Sequence, residues 1–475
     1  MRWSDLKADL LDFWFQFVKN KSGMLGLILL IFFIILAIAA PIIAPEAGEN
    51  WRNLEYWQEN PKSVPPAWIN IFSSKKLFVH SIIYINKFNV TSYGGITEYV
   101  YNISLDYNYD VPPAGMLLVV NAKGKQSPIT LDVQFTRPDG TSLRLASEQL
   151  YPVSKEDLLE YSLHFGSDMS VVSNVMDFAR KYENPDVMSK IKPDVFKFTY
   201  PLFSKAKPGL TQEGAAEPLK GRYIITITIF TTEQGIEVTG ARMVLEGQSY
   251  GLFGTDDFRR DLFQGLMWGT QVSLLVGVVA SVVSVLIGVL YGVTSAYLGG
   301  RKEELMQRIT EIFYNIPMLP LAIMLAALLT PSIWNVVLIL VVFGWSGYEF
   351  VVRSIAHQVK EMDYIEASRA IGARARRIIT RHIMPQIAPY AFASIALGVP
   401  GAILTEAALS FLGLADIKRV TWGLILHDAN GAAATIRGMW WWVVPPGLFI
   451  ALLGLSFVLI GTALDEILNP KMRKL

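Results

Sequence analysis

Between Glu366 and Pro385 the chain reads EASRAIGARARRIITRHIMP, which gathers Arg369, Arg374, Arg376, Arg377, Arg381 and His382 into one short stretch. Long cations at this density do the chemistry of recognition: they hold acidic surfaces. Gly372 lies between two runs of helix-forming residues. A glycine inside a helix costs about 1 kcal/mol relative to alanine, but it permits a turn between two short helices. Pro385 is expected to stop the second helix. Ile365, Ala370 and Ile371 are expected to share an apolar face, with Arg369 on another. By charge alone, a solvated basic loop and a docking surface for a partner both fit. Catalysis has no comparable candidate. His80, His164, His357, His382 and His427 are scattered without metal-ligand spacing, and cysteine is absent, so disulfides and thiolate sites are excluded. Lys123-Gly124-Lys125-Gln126-Ser127 lacks the first glycine of a phosphate-binding loop, so this chain does not hold a nucleotide in that way.

The elements that position the basic stretch are membrane spans. The chain has 475 residues, 52% hydrophobic and 17% charged, with mean hydropathy +0.35. A net charge of +1 gives no global field for nucleic acid. A span needs roughly 20 apolar residues, and six segments qualify: about 24–44, 266–298, 312–329, 333–352, 387–412 and 441–464. Lys and Arg in short loops set orientation. Lys7, Lys19 and Lys21 precede the first span, and Arg301, Lys302 and Arg308 follow the second. The basic stretch follows the fourth span, and Lys471, Arg473 and Lys474 follow the sixth. Both termini and residues 353–386 are therefore expected to be cytoplasmic, and residues 46–250 outside. Trp440, Trp441 and Trp442 are expected to form an interfacial belt. The first span, with Ala37-Ile38-Ala39 near its end, also fits a signal peptide. Its length and the amphipathic face of Trp3, Leu6, Leu10, Phe13, Trp14 and Phe17 before it favour a retained anchor.

The expected organisation is an anchor at 1–45, an extracellular insert at 46–250, and a helical membrane domain at 251–475. In the insert, alternation predicts strands at Met116–Val120, Ile129–Phe135, Tyr223–Phe230 and Ala241–Leu245, with a hairpin turn at Pro138-Asp139-Gly140-Thr141. Leu158 to Tyr182 reads as helical. A β-sandwich with helical insertions follows. Asn89-Val90-Thr91 and Asn102-Ile103-Ser104 are glycosylation sequons.

Within the spans, Glu406 is the least expected residue, since a charge at mid-bilayer costs on the order of 2.5–3.5 kcal/mol. It is either a pore-lining group or a hydrogen-bond anchor near the outer end of its helix. Gly413 and Asp416, close to the water boundary, favour the anchor. Gly288 and Gly292 form a GxxxG for close helix approach. Gly398, Pro400 and Gly401 interrupt the fifth span, where packing and kinks are the plainer reading and a place in the pathway the sharper one. Pro317 and Pro320 predict a bent third span. No intramembrane Asp/His chain and no inverted repeat supports a secondary transporter. A membrane-anchored receptor leaves five further spans unexplained.

The spacing within the basic stretch is more specific than its charge. Glu366-Ala367-Ser368, Gly372 and Pro385 resemble the EAA loop of ABC-importer permeases, with Ser368 where a second alanine is usual and Met384 where leucine is usual. Gly254-Thr255-Asp256-Asp257-Phe258-Arg259-Arg260-Asp261 resembles the GTDxxGRD signature of the oligopeptide/dipeptide permease subfamily, with Arg259 at the second glycine. Ser273 to Gly277, Glu406 to Leu414, Trp422-Gly423 and Asn469-Pro470 are also similar to that family's C-type permease. The likeness is close over 254–475 and loose over 1–45, and the large insert resembles those of archaeal members. The resemblance implies a type I ABC-importer permease fold of six transmembrane helices with a β-rich extracellular insert, in the cell membrane. It implies a second homologous permease, an extracellular substrate-binding protein, and two ATPase subunits that bind ATP and Mg and receive Glu366, Ala367, Ser368, Arg369, Gly372, Arg374 and Pro385. It implies no catalysis and no cofactor in this chain. Di- or oligopeptides are the implied cargo, with oligosaccharides as the alternative. The insert is expected to meet the binding protein or the second permease.

Overall fold

A computed structural model describes residues 3–155, 158–231, 236–414, 416 and 418–468. The terminal residues Asn469, Pro470, Lys471, Arg473 and Lys474, and the side chains of Trp3, Leu6, Lys7 and Leu10, lie outside the described residues. The chain forms two compact units. One comprises Met1–Asn53 with Leu262–Leu475, and the other is Leu54–Asp261. Both borders fall later than the 45/46 and 250/251 steps in composition, because 46–53 packs with the helices and 251–261 with the strands.

The helical unit begins with α1 (Trp3–Lys19) and α2 (Lys21–Ile43). Asn20 caps α2 by accepting from Gly23 N at 2.9 Å, and its amide donates to Glu466 at 2.8 Å. Glycine lets α2 lie close to its neighbours: a methyl on Gly26 would come 2.7 Å from the Ser456 carbonyl oxygen.

The strand unit contains β1 (Ser81–Ile85), β2 (Asn89–Tyr93), β3 (Ile96–Tyr107), β4 (Gly115–Gly124), β5 (Ile129–Thr136), β6 (Ser142–Leu150), β7 (Val153–Lys155), β8 (Leu158–His164), α3 (Met169–Arg180), α4 (Pro185–Met188), α5 (Thr199–Phe203), β9 (Gly221–Thr231) and β10 (Ile236–Glu246). Two antiparallel sheets, ordered β1-β10-β4-β8-β7 and β2-β3-β9-β5-β6, face one core. Alternation is the cause. Ile129, Leu131, Val133 and Phe135 meet Tyr223, Ile225, Ile227 and Ile229 on the inner face. All four predicted strands and the turn between β5 and β6 are present. The helical reading of 158–182 is corrected in its first third. Leu159, Tyr161 and Leu163 point inward with period two, which makes 158–164 a strand. The helix starts only where Asp168 caps it, accepting from Ser170 N at 2.8 Å and Val171 N at 3.1 Å.

The GTDDFRRD segment closes this unit. The Asp256 carboxylate accepts from Phe258 N and Arg260 N, each at 2.9 Å, and from Arg260 Nε at 2.6 Å, with both side chains buried. Arg259 adopts φ +65°, the left-handed conformation for which glycine is the default. The turn survives the replacement because the Arg259 guanidinium holds the Asn60 carbonyl at 2.5 Å and Glu246 at 3.0 Å.

The helical unit continues with α6 (Leu262–Leu298), α7 (Gly300–Asn315), α8 (Met318–Leu328), α9 (Ile333–Lys360), α10 (Asp363–Ala370), α11 (Ala375–Ile378), a π turn (Ile379–Ile383), α12 (Met384–Phe411), α13 (Trp422–Gly431) and α14 (Trp440–Leu468). Among the described residues, five apolar helices are long enough to cross a membrane, with α11 through α12 counted as one, and α7 with α8 makes a sixth bent by 80°. The bend that Pro317 and Pro320 predict in the third span is present: the segment 312–329 straddles the break at Ile316-Pro317, since a proline cannot donate to the preceding turn. α6 and α9 pack through the GxxxG. A methyl on Gly288 would lie 2.8 Å from the Trp345 carbonyl oxygen, and one on Gly292 2.9 Å from that of Glu349. On α6, Gly265 and Gly269 receive the rings of Trp51 and Trp422 in the same manner, at 2.4 and 2.5 Å from the position a methyl would take. The tryptophan belt is corrected: Trp442 is fully buried, which leaves Trp440 as the exposed member.

Candidate functional site

The basic stretch folds as two short helices on an apolar foot. α9 runs past the apolar segment to Lys360, whose ammonium donates to the Ala296 carbonyl at 2.7 Å, at the C-terminal end of α6. In α10, Asp363 and Glu366 occupy the first turn and Arg369 the last, as the helix dipole favours. The helix then ends in a Schellman motif. Gly372 N donates to the Arg369 carbonyl at 2.9 Å and Ala373 N to that of Ser368 at 3.0 Å, and Gly372 sits at φ +80°. The glycine is required by that left-handed turn; space is not the reason, since a methyl there would meet nothing within 4 Å.

Ile365, Ile378 and Ile383 are fully buried with Val289 and Val293 of α6 and Val352 and Ala356 of α9. The expected apolar face is therefore corrected. Ile365 belongs to the foot, whereas Ala370 and Ile371 point away and Ile371 is 86% exposed. Ala370 ends α10 and Ile371 is its C-cap, and both lie on the open side. Around Ile371 stand exposed Glu366, Ala367 and Arg369, while Arg374, Arg376, Arg377, Thr380 and Arg381 line an open hollow. Among the described residues, none of these arginines has a carboxylate partner within an ion-pair distance. Pro385 does not stop the helix. It falls in the first turn of α12, directly after the π turn, where the change of hydrogen-bond spacing absorbs its missing N–H. The basic arm is thus continuous with the long apolar helix.

A polar cluster lies beside the foot. Glu303 of α7 accepts from Arg353 Nε at 2.7 Å and lies 2.5 Å from His357 Nε2, both on α9. One turn further along each helix, Gln307 donates to Glu349 at 2.6 Å. Glu349 is fully buried. In the sequence its only signal is that of a lone carboxylate inside the fourth apolar run.

The pathway candidates separate. Gly401 lines a cavity of about 210 Å³ with Ser284, Met318, Gly344, Tyr348 and Thr405. A methyl on Gly401 would touch nothing, whereas one on neighbouring Gly398 would strike Tyr348 Oη at 2.4 Å and Ser281 Oγ at 2.5 Å. Pro400 lies inside α12 and its ring packs 3.7 Å from the position of a methyl on Gly454. Glu406 is 1% exposed, accepts from Ser410 Oγ at 2.6 Å and does not line that cavity. Next to it, α13 lies so close to α12 that a methyl on Gly423 would be 2.4 Å from the Ala407 carbonyl. The two sequons are also apart. Asn89 is exposed on the edge strand β2, while Asn102 is exposed on β3 and accepts from Thr226 Oγ1 at 2.7 Å.

This architecture is that of a multi-pass helical membrane protein with an inserted strand unit. Residues 267–474 match the family of binding-protein-dependent transport system inner membrane components, and residues 10–61 match the N-terminal transmembrane domain of oligopeptide transport permease C. The chain is 37% identical over 223 residues to the dipeptide transport system permease protein DppC of Bacillus subtilis, covering 47% of this chain and 69% of that protein. It is 35% identical to the oligopeptide transport system permease protein OppC of the same organism, over 47% of this chain and 72% of that protein. A chain of the MetNI methionine ABC transporter in an inward-facing form aligns with TM-score 0.34 and 18% identity, over 42% of this chain and 96% of that one. The chain belongs to the binding-protein-dependent transport system inner membrane component family, as a permease subunit of the peptide ABC-importer type. Such subunits are non-catalytic, and ATP hydrolysis belongs to separate ATPases.

Proposed function

We propose that this chain forms half of the pathway of an ATP-driven importer of di- or oligopeptides, and that residues 353–386 dock onto a cytoplasmic ATPase. The second half of the pathway is a homologous permease. Two ATPases bind ATP and Mg, and an extracellular binding protein delivers the cargo. Both termini and the basic arm are cytoplasmic in this reading, and the strand unit is extracellular. The observation that carries it is the split of one short element into a buried foot and a bare head. Ile365, Ile378 and Ile383 anchor it, while Ile371 is exposed, Arg369 stacks over Tyr297, and Arg374, Arg376, Arg377 and Arg381 form no ion pair among the described residues. A large exposed apolar side chain ringed by cations is the composition of an interface centre and rim.

Work passes through the foot. Nucleotide-driven movement of the ATPases displaces α10 and α11 as a body, and the shared core with α6 and α9 converts this into rocking of the spans. The cavity at Gly401 and Thr405 then opens alternately to the two sides, a two-state shift biased by nucleotide. In docking, Glu366 pairs with a basic group of the ATPase and Arg369 and Arg374 with acidic ones. Glu406, away from the cavity, anchors α12. The peptide class rests on the named relatives.

The double variant Ile371→Asp, Arg374→Glu changes only exposed residues and leaves the foot intact. It is expected to insert normally in the membrane, to lose ATPase co-purification and to lower peptide uptake at least tenfold, one lost interface centre being worth 2 kcal/mol or more. Normal co-purification and uptake by this variant would refute the assignment.

A further inference from the structure

The strand unit contains a cavity that the transport reading leaves unused. It has a volume of about 180 Å³ and is lined by Lys75, Tyr107, Asp110, Tyr200, Phe203 and Glu213, among others. Its inner end is aromatic. Tyr107, at the end of β3, is 2% exposed and packs against Phe203 at 5.0 Å between ring centres. Phe203 and Tyr200 come from α5 and are themselves buried. The outer end is charged.

Three features define what would fill it. First, the Tyr107 hydroxyl is buried without a hydrogen-bond partner. A buried phenol normally finds one, and an unmet donor costs about 1–3 kcal/mol. Second, both lining carboxylates are already engaged. Asp110 accepts from Lys220 Nζ at 2.7 Å and Lys76 N at 2.9 Å, and Glu213 accepts from Lys197 Nζ at 2.5 Å. Third, Lys75 forms no ion pair among the described residues, so the cavity offers a spare ammonium and an unmet phenol hydroxyl, both able to donate. A site with committed acceptors and spare donors takes an acceptor, and a spare ammonium makes an anionic one preferable. The aromatic inner end takes apolar surface. The volume admits one side chain, being near that of cavities that hold a single benzene ring (about 150 Å³).

We propose that this cavity binds an amino-acid-sized carboxylate, the C-terminal residue of a short peptide. The carboxylate lies between Lys75 Nζ and Tyr107 Oη–H, and the side chain lies against Tyr200 and Phe203. The preference for a carboxylate with an apolar side chain rests on the geometry of the strand unit, and the choice of a peptide rests on the proposed transport function; the docking of the basic arm is independent, so either can fail alone.

The test is a titration of the purified full-length chain in detergent, without ATPases, using glycyl-phenylalanine, its C-terminal amide and glucose. Saturable binding of the free dipeptide at millimolar or lower concentration is expected, with at least tenfold weaker binding of the amide and none of glucose. Lys75→Met is expected to weaken the dipeptide about tenfold, as loss of one charge-assisted contact does. Tyr107→Phe separates binding from folding. It removes a hydroxyl that bonds to nothing in the unliganded chain, so the melting temperature is expected to hold or rise while affinity falls several-fold. Equal binding of dipeptide and amide, binding of glucose alone, no saturable binding, or full affinity in both variants would each overturn the proposal.

Discussion

At the scale of single residues, the strand unit contains a group whose protonation is tied to its fold. His80 is largely buried, Gly247 N donates to its Nδ1 at 3.4 Å, and Nε2 has no partner. Burial, and secondly the Arg259 guanidinium, lower its pKa from 6.5 to about 4. Between those values the unfolded chain binds a proton that the folded chain does not, so stability rises with pH across that window. The His80 contribution is complete above pH 6.5, is lost progressively on acidification, and changes no further below about 4. Thermal melts of the chain are therefore expected to fall between pH 6.5 and 4, and His80→Gln is expected to flatten that part of the profile. A wild-type slope unchanged in the variant would show that His80 is not the group responsible.

At the scale of elements, the helix pair α6 and α9 depends on two missing side chains. Gly288 and Gly292 leave no room between the helix backbones, so extra atoms must push the axes apart. Gly288→Leu is expected to destabilise the chain by about 1–3 kcal/mol or more, with Gly288→Ala intermediate, measured by thermal unfolding in detergent. A neutral leucine would mean that the helices do not meet there. This contact was legible in the sequence because a GxxxG names its own function. The basic arm was legible in part. Gly372 marks the turn, but helical spacing does not show where α10 ends, and Ile371, its C-cap residue, lies on the open side although the sequence groups it with the buried Ile365. Pro385 reads as a stop because proline breaks a regular ladder, but the π turn before it is a local rearrangement with no composition signal. Likewise Leu158 to His164 holds enough apolar residues for either period, and pairing with β4 decided in favour of a strand. Glu349 hid behind the strong hydropathy of its neighbours, and its partner Gln307 lies on a helix the sequence reading placed mostly in a loop.

At the scale of the whole molecule, the general architecture is readable from charge and hydropathy and the family from the resemblance of six short segments, and the matched segments bear the family out. Hydropathy gives the number of spans because a bilayer demands apolar length. It gives neither cargo nor ligand sites, which depend on side chains brought together from distant segments. The cavity of the strand unit illustrates this: Lys75, Tyr107, Asp110, Tyr200 and Glu213 share no local pattern, and only folding makes them neighbours. In the basic arm, a foot held by the spans carries a bare head, which we propose faces an ATPase. A photo-crosslinking amino acid at position 371, in membranes containing the assembled transporter, tests this most directly. A cross-link to the ATPase subunit that the charge-reversed arm abolishes is expected. Cross-links confined to lipid or to this chain, with transport intact, would contradict it.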